Sequence, residues 1–332
     1  MTNFSKRRQL DARLENWQFE NAFTISRGTR TTTEVIVVAI TEDEITGRGE
    51  CVPYSRYGES PSLTLQTIES IRADITAGIT VTELQELLPA GAARNAVDCA
   101  LWDLSAKKSG KSVWEILGIN QPGPCTTAYT LSLDTPEAMG RAALEASHRP
   151  LLKLKLGTDG DADRVKSVRR YAPNSRIIID ANEGWTSDTL EALAPILVAA
   201  RVELVEQPLP AGEDDALTDM NLPIAICADE SCHDCSTLST LPMRYDYINI
   251  KLDKTGGLSE AIAMTKLAKT LKLKIMVGCM VGTSLAMAPA HLITQFATFI
   301  DLDGPLLLAN DRTPGIVYNG SEMQTPPSEL WG

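Results

Sequence analysis

The chain has 332 residues, 43% of them hydrophobic and 22% charged, enough for a barrel-sized domain with a smaller companion and a large buried core. Its formal charge of -12 argues against nucleic acid and anionic membrane surfaces, which need clustered Lys and Arg to release counterions. Seven scattered cysteines read as reduced, mostly buried thiols, and Lys6-Arg7-Arg8 leads into no apolar segment, so no secretory signal or spanning helix is read and a cytoplasmic enzyme is expected.

The first third lacks a strand-then-helix rhythm. Trp17 to Ile25, Val35 to Ile40 and Gly47 to Pro53, separated by Gly- and Thr-rich turns, predict a three-stranded antiparallel meander. Leu63 to Ala77 predicts a helix. Ala92 to Lys108 predicts another, with Val97, Leu101 and Leu104 at four- and three-residue steps before Gly110 stops it.

Pro122-Gly123-Pro124 marks a boundary. Beyond it, Thr127 to Leu131 and runs near Leu151, Ile177, Val202, Ile224, Tyr247, Lys274 and Thr298 predict eight strands. Helices such as Asp161 to Tyr171, Ser187 to Ala200 and Ser259 to Leu271 lie between them. The spacing of roughly 25 residues is one strand, one helix and two short loops. After Gly304-Pro305 no such unit follows, and the Pro-rich end is expected to pack back on the first domain. The reading is an α/β chain: an α+β domain over 1-123, a modified (β/α)7β TIM-like barrel over 124-305, and a returning segment over 306-332.

Chemistry in such barrels sits at the carboxyl ends of the strands. Asp180, Glu206 and Asp229 end the third, fourth and fifth strands, and three hard carboxylate oxygens favour magnesium. Cys227, Cys232, His233 and Cys235 match no common zinc spacing, and Asp229-Glu230 interrupts them. Lys153 and Lys155 point inward from the second strand, where buried ammonium groups need negative partners. Lys251 ends the sixth strand, four places round the ring, so Lys155 and Lys251 are expected to face each other. Two opposed bases are what inversion at a carbon centre requires. Desolvation, with Lys153 as the neighbouring cation, is expected to lower the pKa of the lysine acting as base. The reaction class is proton abstraction beside a metal-bound carboxylate. Asp301 and Asp303, ending the eighth strand opposite the metal, can hold a cationic end of the substrate.

These residues stand in motifs: Lys153-Leu154-Lys155, Asp180-Ala181-Asn182-Glu183, Glu206-Gln207-Pro208, Asp229-Glu230-Ser231, Asn249 to Gly257, and Asp301-Leu302-Asp303. Together they resemble the enolase superfamily, in its muconate-lactonizing subgroup, and the dipeptide epimerases acting on L-Ala-D/L-Glu within it. The resemblance covers residues 17 to 305 in order. It implies that the first domain caps the barrel mouth, that Lys155 and Lys251 are the bases, and that Asp180, Glu206 and Asp229 hold one Mg2+ per subunit. It also implies that Asp301 and Asp303 bind the dipeptide's amino terminus. Ser26-Arg27-Gly28 and Arg56-Tyr57-Gly58-Glu59-Ser60 look like the substrate-recognising cap loops, with Arg27 for the glutamate side-chain carboxylate. Tyr57, and Thr130 on the first strand, complete the expected contacts.

The expected activity is inversion of the glutamate α-carbon in cell-wall dipeptides, with a small-molecule partner and self-association left open. The alternatives are a dipeptide epimerase of different second-residue specificity, a cycloisomerase or o-succinylbenzoate synthase of the same subgroup, and a non-catalytic dipeptide-binding protein. The second lacks a substrate ammonium for Asp301 and Asp303. An acid-sugar dehydratase would usually carry His after the seventh strand, where Val277-Gly278-Cys279 stands.

Overall fold

The computed structural model describes residues 8–332, so Lys6 and Arg7 of the basic trio lie outside the described residues. The meander forms as β1 (Gln9–Ile25), β2 (Gly28–Glu42) and β3 (Ile45–Cys51). The first two strands are longer than their apolar runs because backbone pairing extends into polar sequence. Gln9 pairs with Thr41 and Ile25 with Gly28, with a register shift between Gln18 and Phe23.

Alternation along β2 gives the sheet two buried faces. Ile36, Val38 and Ile40 join the cap core with Ala96, Val97, Leu101 and Leu104, whereas Val35 and Val37 pack with barrel residues. The helix Ala92–Ser109 lies close on β3: a Cβ on Gly49 would come within 2.1 Å of the Ala96 carbonyl oxygen.

The helix predicted over Leu63 to Ala77 is instead two, Pro61–Ser70 and Arg72–Ala77, parted at Ile71 with φ -101° and ψ 12°. Just before the break, Thr67 Oγ1 donates to Leu63 O and Ser70 Oγ to Thr67 O, local bonds that bend helices.

Eight parallel strands follow: Tyr129–Leu131, Leu151–Lys155, Arg176–Asp180, Val202–Glu206, Ala225–Ala228, Tyr247–Ile250, Lys274–Gly278 and Phe299–Asp301. Ala128 N donates to Ile300 O at 2.8 Å, and Leu302 N to Thr127 Oγ1 at 2.8 Å, joining the eighth strand to the first. The predicted helices appear as Asp161–Tyr171, Ser187–Ala199 and Leu258–Leu271. The unit after the fourth strand has a 3-10 turn, Asp215–Thr218, in place of an α-helix. The eighth strand is followed by a 3-10 turn, Gly304–Leu307, giving a (β/α)7β barrel beside an N-terminal antiparallel domain.

Cys125–Thr126, just ahead of the first barrel strand, pairs with Glu322–Met323 rather than entering the barrel. The chain then ends on the first domain's long helix, where Trp331 Nε1 donates to Cys99 O at 3.0 Å and Gly332 N to Asp103 Oδ1 at 2.8 Å. Among the described residues, no helix is long and apolar enough to cross a membrane.

Candidate active site

The barrel interior changes character within one strand period. Ala128, Leu151, Ile178, Leu204, Cys227, Tyr247, Met276 and Phe299 form an apolar plug. Two residues further up the strands stand Thr130, Lys153, Asp180, Glu206, Asp229, Asn249, Gly278 and Asp301, because side chains repeat every second residue on one face. Gly278 is needed there: a Cβ would meet Asn249 Oδ1 at 2.6 Å, and Asn249 Nδ2 donates to Glu206 Oε1 at 2.7 Å.

Asp180, Glu206 and Asp229 are fully buried, with one oxygen from each lying within 4.8 Å of the others. Three hard oxygens in that space suit a small divalent cation such as Mg2+. Three lysines surround them. Lys155 Nζ lies 2.6 Å from Asp180 Oδ2, and Lys251 Nζ 2.5 Å from Asp229 Oδ2. Lys153 Nζ reaches Glu206 Oε2 at 2.6 Å, Asp301 Oδ2 at 2.7 Å and Asp180 Oδ2 at 3.2 Å.

Electrostatics follow these contacts. Burial raises the pKa of Asp180 and Asp229, but Lys155 and Lys153 for the first, and Lys251 and Lys254 for the second, hold both below the usual carboxylate range. Glu206 is pushed up to about 7 by burial and the Asp180 charge. At Lys251 desolvation does not win. Burial pushes its pKa down, yet Asp229 and Glu206 outweigh burial and hold it well above the ordinary value. Lys153 is raised in the same way by Asp301, Glu206 and Asp180 against burial.

Sequence reading missed the residues that hold these groups in place. Lys254, 2% exposed, donates to Asp229 Oδ1, Asp229 O and Asn249 O. Gln207 Oε1 accepts from Asp229 N at 2.9 Å and Ser231 N at 3.1 Å. Asn249 and Lys254 lie within the Asn249 to Gly257 motif, and Asn249 falls on the inward period, a signal that could have found it.

Asp301 and Asp303 are buried beside the cluster. Asp301 Oδ2 takes Lys153, while its Oδ1 is buried without a hydrogen-bond partner. Asp303 Oδ2 accepts from Thr130 N at 2.7 Å, and burial together with the Asp301 charge pushes its pKa up to about 7.

A cavity of about 370 Å³ opens above, lined by Lys153, Lys155, Lys251, Asp229, Thr130, Asp301 and Asp303 from the barrel, and by Arg27, Arg30, Arg56 and Tyr57 from the first domain. Tyr57 ends the 3-10 turn Ser55–Tyr57 and meets His233 edge-on with 4.7 Å between ring centroids. Arg27 differs from the free fork the sequence suggests. Its Nη1 donates to Asn182 O and Glu183 Oε2, and its Nη2 to Tyr54 OH and Glu230 Oε1. The hairpin turn brings it onto barrel acceptors at Asn182, Glu183 and Glu230 and onto Tyr54 of its own domain.

Two family models match the chain: the mandelate racemase/muconate lactonizing enzyme N-terminal domain over residues 8–118, and the enolase C-terminal domain-like model over 137–326. The L-Ala-D/L-Glu epimerase of Escherichia coli (strain K12) is 43% identical over 93% of this chain and 97% of its own. An N-acetyl-D-glutamate racemase from Pseudoalteromonas sp is 47% identical over 90% of this chain and 95% of its own. Among solved structures, an enolase family member from Agrobacterium tumefaciens with homology to dipeptide epimerases, holding sodium and L-Ala-L-Glu, superposes with TM-score 0.96. It shares 52% identity and covers 98% of this chain and 100% of its own.

Proposed function

Because the chain belongs to the mandelate racemase/muconate lactonizing enzyme family of the enolase superfamily, and within it to the dipeptide epimerases, we propose that it inverts the glutamate α-carbon of L-Ala-D/L-Glu by two-base proton transfer. The observation that carries this reading is the pair Lys155 and Lys251, buried on barrel strands four places apart and each hydrogen-bonded to a carboxylate of the cluster between them.

Asp180, Glu206 and Asp229 would hold Mg2+. When bound there, the cation supplies Lewis-acid stabilisation of the negative charge that builds on the substrate's α-carboxylate oxygens as the proton leaves. Lys155 and Lys251 stand on opposite faces of the α-carbon. One takes the proton as general base and the other returns a proton to the opposite face, which inverts the centre and lets either epimer serve as substrate. Lys153, bound by three carboxylates, stays charged and balances their repulsion.

Asp301 and Asp303 bind the alanyl ammonium. The partnerless Asp301 Oδ1 supports this, since a buried carboxylate oxygen costs free energy until a donor meets it. Thr130 orients Asp303 through its backbone N–H, Tyr57 walls the cap side, and Arg27 closes the distal end of the cavity.

The relative named for N-acetyl-D-glutamate supports a second reading in which an acetyl group replaces alanyl. The two differ at the ammonium. Turnover of L-Ala-L-Glu and N-acetyl-L-glutamate by the Mg2+-loaded protein tests the choice. Higher kcat/KM on the dipeptide, lost in Asp301→Asn, supports the dipeptide reading; higher kcat/KM on N-acetylglutamate, unaffected by that substitution, overturns it.

A further inference from the structure

Lys155 and Lys251 are held in place by different means. Lys155 ends the strand Leu151–Lys155 and pairs with Asp180 inside the parallel ladder. Lys251 lies just past its strand, Tyr247–Ile250, where Ile250 against Val277 is the last pair with the seventh strand. Its backbone is fixed instead by the one-turn helix Leu252–Thr255, in which Lys254 N and Thr255 N both donate to Lys251 O at 3.0 Å. Where that turn sits decides where Lys251 sits.

The turn is anchored from the other domain. Asp253, buried within it, accepts on Oδ1 from Asn95 Nδ2 at 2.8 Å and from Val52 N at 3.0 Å, and both donors belong to the first domain. Asn95 stands on the helix Ala92–Ser109, whose Arg94 donates to Thr255 O at 2.7 Å and Gly256 O at 3.1 Å. Val52 lines the cavity and leads through Pro53 into the loop that carries Tyr57. Glu59 ties that loop to the same helix, accepting from Tyr54 N at 2.9 Å and Ala92 N at 2.7 Å. One barrel carboxylate thus collects a donor from the cap loop and another from the cap helix. Removing it leaves two buried donors without their acceptor, a cost that movement of the turn or the loop relieves.

We infer that Asp253 is a positioning residue for Lys251: by accepting from Val52 and Asn95 it fixes the turn behind that lysine and makes its placement depend on the docked first domain. This rests on the reading of Lys155 and Lys251 as opposed bases. Asp253 does not line the cavity, so its effect on the reaction runs through Lys251. Proton transfer needs the base within about 3 Å of the proton it takes, so a small displacement of the turn is felt in the rate. Lys155, held by the strand ladder, is independent of this anchor. The consequence is an asymmetry between the two epimers.

The test is the initial rate of deuterium exchange at the glutamyl α-carbon in D2O, measured separately for L-Ala-L-Glu and L-Ala-D-Glu with the Mg2+-loaded protein. Wild type is compared with Lys251→Ala, Asp253→Ala, Asp253→Asn and Asn95→Ala. Lys251→Ala identifies the epimer that Lys251 serves. Asp253→Ala is expected to slow exchange of that same epimer about 10- to 100-fold, chiefly through kcat, and to leave the other within about 3-fold. Asp253→Asn, which keeps the Oδ1 acceptor, is expected to restore exchange to within about 3-fold of wild type. Asn95→Ala removes one donor and is expected to slow the same epimer by a smaller factor, which keeps the assignment testable if Asp253→Ala does not fold. Equal losses on both epimers in Asp253→Ala or Asn95→Ala, unchanged exchange of both, or an Asp253→Asn no better than Asp253→Ala would overturn the assignment. A wild type that exchanges neither epimer, or a Lys251→Ala that slows both alike, overturns the two-base reading itself, and the assignment with it.

Discussion

Arg56 grips Glu183 through two hydrogen bonds, Nε to Oε2 at 2.7 Å and Nη2 to Oε1 at 2.6 Å. Glu183 also accepts from Arg27 and from Ala211 N, so one carboxylate after the third barrel strand gathers both cap loops and the loop after the fourth strand. It holds a left-handed backbone, φ 65°, which is uncommon for a non-glycine residue. Glu183→Ala should therefore loosen closure, raising KM for L-Ala-L-Glu about 10-fold, the scale of one charged hydrogen bond, with a smaller change in kcat. Steady-state kinetics checks this, and an unchanged KM would remove Glu183 from closure.

Lys155 and Lys251 are expected to serve opposite epimers. Lys155→Ala and Lys251→Ala should each cut proton exchange of one epimer by about a hundred- to ten-thousand-fold, with a milder effect on the other. Exchange followed separately for L-Ala-L-Glu and L-Ala-D-Glu reads the asymmetry. Equal losses for both epimers in both variants would contradict an opposed pair.

The carboxylate cluster predicts a metal-dependent rise in thermal stability. A cation that binds only the folded state at 100 times its Kd adds about 2.7 kcal/mol. Adding Mg2+ should raise the Tm of the wild type, and Glu206→Gln should remove most of that rise. The same rise in the variant would place the metal elsewhere.

Asp98 gives a pH dependence remote from the chemistry. It is buried, accepts from Gln85 and from Ser259 N and Oγ, and burial pushes its pKa up to about 6 from the ordinary 3.8. The folded state holds the proton more tightly than the unfolded chain, so this contribution is complete below pH about 4 and is lost as pH rises through about 6. The full effect is on the order of 3 kcal/mol. Denaturant melts of Asp98→Asn and wild type should show the variant gaining relative stability between pH 4 and pH 7. A pH-independent difference would show that Asp98 is not the group responsible.

Much of the site was legible because strand period and strand count are local properties. Leu151, Lys153 and Lys155 alternate with outward leucines, and the same step carries Ile178 to Asp180 and Leu204 to Glu206, so inward direction could be read without coordinates. Ring order then brought Lys155, Lys251 and the three carboxylates together. The partners of Arg27 were not legible. They are Tyr54 of its own domain and Asn182 O, Glu183 and Glu230 of the barrel, which only tertiary folding brings near a hairpin turn. The direction of the Lys251 shift was not legible for a related reason: desolvation and carboxylate contact oppose each other, and the 2.5 Å approach of Asp229 decides between them. The break at Ile71 depended on which carbonyls the Thr67 and Ser70 hydroxyls met.

The central claim is reversible removal of the glutamate α-proton between Lys155 and Lys251. The most direct measurement is 1H NMR of L-Ala-L-Glu incubated with the Mg2+-loaded protein in D2O. The account predicts loss of the glutamyl α-proton signal as L-Ala-D-Glu appears, with deuterium at that carbon in the product and the alanyl α-proton intact. Retention of the glutamyl α-proton, with no second epimer formed, would contradict it.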